Sequence, residues 1–178
     1  MKGISLGSEV KLLNGSVESV ENLPLIADEW DEEVYLYSLG DSGVEVGVAR
    51  LRFLGVGPST TLKFDNGSMI VCGLDQEVVM SDLSQKKSSD IKVGDRVTPL
   101  VTKVSEESGP FQLIGYELCH DPVCQKDVFT HQIVGSWRYD KDYPKGGMII
   151  HHKDFNKLNN DPENLILMSA RRHAQFHA

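Results

Sequence analysis

The sequence holds no apolar run long enough to cross a bilayer as a helix, and its opening, MKGISLGSEV, has no hydrophobic stretch of the secretory kind. Both absences predict a cytoplasmic protein. Cysteine is scarce and odd in number, three residues, which excludes a fully paired disulfide scaffold and suits a reducing compartment. No glycine-rich phosphate cradle or dinucleotide fingerprint occurs, so the common nucleotide-binding classes are set aside. Positive charge is also short: 18 Lys and Arg against 26 Asp and Glu leave a net charge of -8. A protein coating itself broadly in phosphate contacts is thereby disfavoured. The deficit is uneven, however. Residues 1–124 carry 10 basic and 20 acidic side chains, a balance of -10, whereas residues 125–178 carry 8 and 6, a balance of +2. The densest acidic run, ENLPLIADEWDEE, reads as a solvated face.

What the chain does concentrate is histidine. Four of its six histidines fall in the pattern His-His-x11-Asn-x8-His-x3-His, namely His151, His152, Asn164, His173 and His177. Gly147 to His152 is apolar and β-branched and predicts a strand, and Leu165 to Met168 predicts a second. Between them lies an Asn- and Asp-rich loop containing Pro162. Ser169 offers a helix N-cap before Ala170–His177, on which His173 and His177 at i, i+4 share one face. The expected unit is a ββα finger.

Three neutral imidazoles with open positions describe a catalytic metal site more than a closed structural one, which usually recruits cysteine. His151, His173 and His177 are the expected ligands. His152 follows a ligand on a strand, points to the opposite face and is free to act as a base near neutral pH. Asn164, at the junction of loop and strand, is expected to hold the loop. Phosphate affinity falls to the basic side chains of this part, including Arg138, Lys141 and Lys145, with Lys153, Lys157, Arg171 and Arg172 nearest the expected site.

The stretch HHKDFNKLNNDPENLILMSARRHAQFH resembles the HNH, or ββα-metal, endonucleases of the homing and phage type. Its two helix histidines are similar to those of colicin-type nucleases, and VFTHQIVGSW resembles the His-x-x-Val lead-in of phage HNH modules. The resemblance implies a DNA endonuclease with one divalent metal ion (Zn, Ni, Mg or Mn), acting on double-stranded DNA. It further implies that the metal stabilises the pentacovalent phosphate and the departing 3′ oxygen while His152 activates water, leaving 5′-phosphate and 3′-hydroxyl ends. Two other readings share the motif: an HNH nuclease toxin associated with a Hint domain, and a catalytically inactive DNA-binding protein that keeps a structural metal.

The first 120 or so residues read as β-rich. Turn signals at Asn14-Gly15, Gly40–Gly43, Asp65–Gly67 and Gly94-Asp95 separate candidate strands at Glu9–Leu13, Val34–Ser38, Val44–Phe53, Thr60–Phe64, Ser68–Cys72, Arg96–Val101 and Phe111–Leu118. An all-β sandwich or horseshoe follows, giving a mainly β protein with a small α+β module. KLLNGSVESVENL and TTLKFDNGSMIVCGLDQEVVMSDLSQKKSSDIKVGDRV resemble the opening and central blocks of the Hint fold of inteins and the Hedgehog autoprocessing domain. The resemblance implies a Hint-like domain at 1–124 preceding a nuclease module at 125–178. It departs where splicing needs it most: Met1-Lys2-Gly3 replaces a leading Cys or Ser, and Gly73-Leu74-Asp75-Gln76 replaces Thr-x-x-His. Without nucleophile or assisting histidine, the domain is expected not to splice. Cys119, His120 and Cys124, with His131 nearby, are spaced too irregularly to predict zinc over ordinary packing.

Overall fold

The structure, a computed structural model, describes residues 2–23, 33–106, 113–139 and 146–176. These form a mainly β protein with a small C-terminal α+β region. The elements in chain order are β1 (Glu9–Lys11), β2 (Val17–Ser19), β3 (Val34–Gly40), β4 (Gly43–Ala49), β5 (Ser59–Lys63), β6 (Met69–Gly73), β7 (Glu77–Val79) and β8 (Gln85–Lys87). There follow β9 (Thr102–Val104), β10 (Glu117–Asp121), β11 (Lys126–Phe129), α1 (Thr130–Arg138), β12 (Met148–His152), β13 (Leu165–Ser169) and α2 (Ala170–Phe176). Among the described residues the strands pair as five two-stranded hairpins and one three-stranded sheet, β11-β10-β9. Short strands joined by tight turns are what the frequent Asn-Gly and Gly signals dictate.

Several strand expectations shift. The one at Arg96–Val101 is replaced by a single bridge from Val97 to Met80, with β9 starting only at Thr102. Pro99 explains this, because it has no N–H to give a ladder. The expected Phe111–Leu118 strand lies partly outside the described residues. In its described part Gly115 turns at φ +80, so β10 begins only at Glu117. The nine-residue α1 was not foreseen. It carries Gly135 internally and β-branched Ile133 and Val134, which weaken its intrinsic propensity. Packing compensates, since Val134 is wholly buried.

The chain divides into two compact units. One comprises Met1–Lys11, Val17–Val34 and Ala49–Pro99; the other comprises Leu12–Ser16, Tyr35–Val48 and Leu100–Ala178. In the first, Cys72, Leu62, Val20 and Met80 are buried, and Ser88 Oγ donates to the carbonyls of Gly73 (2.8 Å) and Leu74 (3.1 Å). In the second, Leu13, Val46, Val134, Ile150 and Leu165 form one apolar cluster. The unit holding the finger takes in upstream pieces on both sides of residue 49. Residues as distant in sequence as Leu13 and Leu165 fill one core. A buried polar knot supports the same unit: Thr130 Oγ1 donates to Glu117 Oε1 at 3.1 Å, and the Tyr37 hydroxyl donates to the same oxygen. Burial and that carboxylate push the Tyr37 phenol well above its ordinary range.

Candidate active site

The finger starts from β12 and β13, paired antiparallel with His151 opposite Ile166 and His152 opposite Leu165. Alternation along β12 sends Ile150 into the core and gives the two histidines separate neighbours. The His151 ring meets His173 of α2 edge-on with centroids 5.1 Å apart, and also Phe155 (5.1 Å) and Phe176 (5.5 Å). The His152 ring instead meets Tyr116 (5.8 Å) and His131 (5.7 Å). At the strand end both rings reach one cleft. Its lining includes His151, His152, His173, Tyr116, Phe155 and Lys157. Sequence alternation predicted opposite faces; the cleft at the end of β12 brings both edges to the same space.

The loop between the strands is shaped by its own side chains. Asp154, Asn156, Asn159 and Asp161 each accept the N–H two residues on, at 2.8, 3.1, 3.2 and 2.8 Å. Asn164 ties the loop's two ends: its Nδ2 donates to Asp154 Oδ1 and to the Asn159 carbonyl, both at 2.9 Å, and its Oδ1 accepts the Asp154 N–H at 3.2 Å. Phe155 sits in the left-handed region, φ 62, which suits few large side chains. That conformation goes with its ring lying against His151.

Both His151 and His152 are buried, at 5% and 4% exposed. Burial pulls the His152 imidazole below its ordinary pKa, against the opposing pull of its bond to Asn160. The ring is thus neutral at neutral pH and keeps one lone pair, as a base must. His131, 6% exposed, is pushed down to about 3 by burial and by the neighbouring His152, and its Nδ1 has no hydrogen-bond partner among the described residues.

Of the expected ligands, His151 and His173 come together, and His177 lies outside the described residues, as do Lys141 and Lys145. Among the described residues no group of three or more His, Cys, Asp or Glu is assembled for a metal, Cys119, His120 and Cys124 included. Two imidazoles converging from a strand and a helix on one cleft are nonetheless a donor set that fits a borderline divalent cation. Ser169 caps α2 as expected, accepting the Arg172 N–H at 3.3 Å. The basic residues occupy distinct places. Lys157 Nζ donates to the Ile114 carbonyl at 2.8 Å and lies 4.7 Å from the centre of the Tyr116 ring. Lys153 Nζ donates to the Glu163 carbonyl, the Arg172 guanidinium lies 5.9 Å from the Phe176 ring, and Arg171 is exposed. Tyr116, His131 and Asn160 were not singled out for the site by the sequence. Tyr116 comes from 36 residues before His152, a contact no local pattern reports.

Residues 129–175 match the family of HNH endonucleases. That match supports a nuclease function and DNA as the substrate class; HNH nucleases generally use a divalent metal ion. The chain is also 32% identical over 176 residues to a DNA gyrase subunit of Synechocystis sp., an alignment covering 94% of this chain and 16% of that protein. The chain thus spans about a sixth of the length of that curated relative. No solved structure matches. No helix among the described residues is long and apolar enough to cross a membrane.

The buried, unprotonated His131 makes stability depend on acid. Above pH 6.5 residue 131 is neutral folded or unfolded and contributes no pH dependence. Below it, the unfolded chain takes up a proton that the folded chain refuses until about pH 3, so stability falls across that window. Thermal melts should therefore show a steeper loss from pH 6.5 downward for wild type than for His131→Phe. Parallel curves would show that His131 is protonated in the folded state.

Proposed function

We propose that this chain is a metal-dependent, homing-type DNA endonuclease that hydrolyses phosphodiester bonds at its C-terminal finger. The observation that carries the reading is the cleft shared by His151, His152 and His173 within the segment that matches HNH endonucleases. His151, His173 and His177 would hold one divalent cation, with zinc or nickel best suited to imidazoles and Mg²⁺ or Mn²⁺ as alternatives. When bound, such a cation supplies Lewis-acid stabilisation of charge on the phosphate and on the departing 3′ oxygen. His152 takes a proton from water as its oxygen attacks phosphorus; the bond from phosphorus to the 3′ oxygen breaks, and that oxygen picks up a proton from solvent. The products carry 5′-phosphate and 3′-hydroxyl ends. Asn164 keeps the loop between the histidines in shape. Lys153, Lys157, Arg171 and Arg172 meet the backbone of double-stranded DNA, in the part of the chain with the positive balance.

The preceding region, 1–124, reads as a Hint-like domain that no longer splices. Its support is the two intein-like strings, their missing nucleophile and histidine, and an alignment to a DNA gyrase subunit long enough to include both regions. The intact mass of the purified chain should equal that of the full sequence; loss of a fragment on incubation would mean that self-cleavage survives.

Nuclease action is tested on supercoiled plasmid with Mg²⁺, Mn²⁺, Zn²⁺ or EDTA. Wild type should remove the supercoiled band only with metal, and His152→Ala should lose at least about a hundredfold in rate. Equal cleavage by His152→Ala and wild type would sink the assigned base.

A further inference from the structure

Asn160 is wholly buried, and a buried amide is retained only if its polar atoms are bonded. Its backbone N–H donates to the Leu13 carbonyl at 2.8 Å. Its Nδ2 donates to the Leu158 carbonyl at 3.2 Å, and its Oδ1 lies 3.2 Å from His152 Nε2. These contacts fix the amide's orientation by chemistry alone. A carbonyl oxygen only accepts, so the end of the amide facing Leu158 must be the NH₂ group. The end facing the imidazole is then oxygen, which also only accepts. His152 Nε2 must carry the hydrogen, and in a neutral ring that leaves the lone pair on Nδ1.

The surroundings hold this arrangement in place. Tyr116 and His131 pack against the His152 ring and restrict its rotation. Gly15, at φ +91, approaches the Leu158 carbonyl so closely that a Cβ there would stand 2.8 Å from its oxygen. The turn after β1 therefore buttresses the carbonyl that orients Asn160. We propose that Asn160 is a positioning residue that holds His152 in its Nε2–H form, so that Nδ1 is the atom that takes the proton from water. This rests on the reading of His152 as the base and adds which nitrogen acts and what selects it. A purely structural Asn160, bridging Leu13 and Leu158, would have no bearing on the ring's hydrogen.

The test uses the full chain labelled with ¹⁵N in histidine and two-bond ¹H–¹⁵N spectra of the imidazoles, with His152 signals identified by their loss in His152→Ala. Wild type should show an Nε2–H form with a resolved, slowly exchanging ring proton. In Asn160→Leu that proton should exchange freely with water and vanish, and kcat for cleavage should fall about 10- to 100-fold with KM little changed. An Nδ1–H form in wild type would overturn the proposal, as would a resolved proton and full kcat persisting in Asn160→Leu. If Asn160→Leu melts below the assay temperature, Asn160→Ser carries the same comparison. Cleavage persisting in His152→Ala would instead remove the base assignment, while the spectra still report whether Asn160 selects the ring's form.

Discussion

The candidate chemistry depends on one strand being held at both of its faces. β12 places Ile150 in the core beside Leu165 and Val134, and the two residues that follow become the site. Burying an aliphatic side chain such as Ile150 stabilises by about 1.5–3 kcal/mol. Burying a polar atom with no partner costs about 1–3 kcal/mol. The two effects are of similar size, so the core can carry an imidazole atom with no partner among the described residues, His131 Nδ1, only because several side chains anchor the same region. Strand pairing with β13 then sets the depth of His151 and His152, since a slip of one residue would exchange their faces.

Around this strand, apolar and polar parts divide the labour. The aliphatic cluster anchors the hairpin, while the Asp- and Asn-rich loop is organised by hydrogen bonds within itself. Such a loop needs little core of its own, and its backbone is fixed by side chains two residues away. The three rings around His151 and the two around His152 complete a cleft that keeps water from surrounding the imidazoles. That exclusion is the largest influence pulling His152 below its ordinary pKa, outweighing the upward pulls of Asn160 and Asp154, with Lys157 acting in the same downward sense.

The finger was legible in the sequence because its signals are local. Apolar β-branched runs gave β12 and β13, and Ser169 gave the cap of α2. Asn164 was legible as a loop brace because Asn at a loop-to-strand junction has few other uses. Asn160 was not, since one asparagine among several in a polar loop carries no mark of being buried. α1 was obscured by Gly135 and by β-branched residues that favour strands, and its helical form follows from packing that the sequence shows only at long range. The division into two units was hidden for the same reason: Leu13 and Val46 read as members of hairpins, and only folding shows that they fill the core beneath the finger. Pro99 is a visible signal, and its missing N–H outweighs the apolar residues that suggest a strand at Arg96–Val101.

The central claim is that one strand histidine binds metal while its neighbour remains free as a base. An anomalous-scattering map from crystals grown with zinc or nickel measures this directly. The account predicts one peak about 2.0–2.1 Å from ring nitrogens of His151, His173 and His177, with His152 outside the coordination sphere. A peak bonded to His152, or no peak in this cleft at saturating metal, would contradict it.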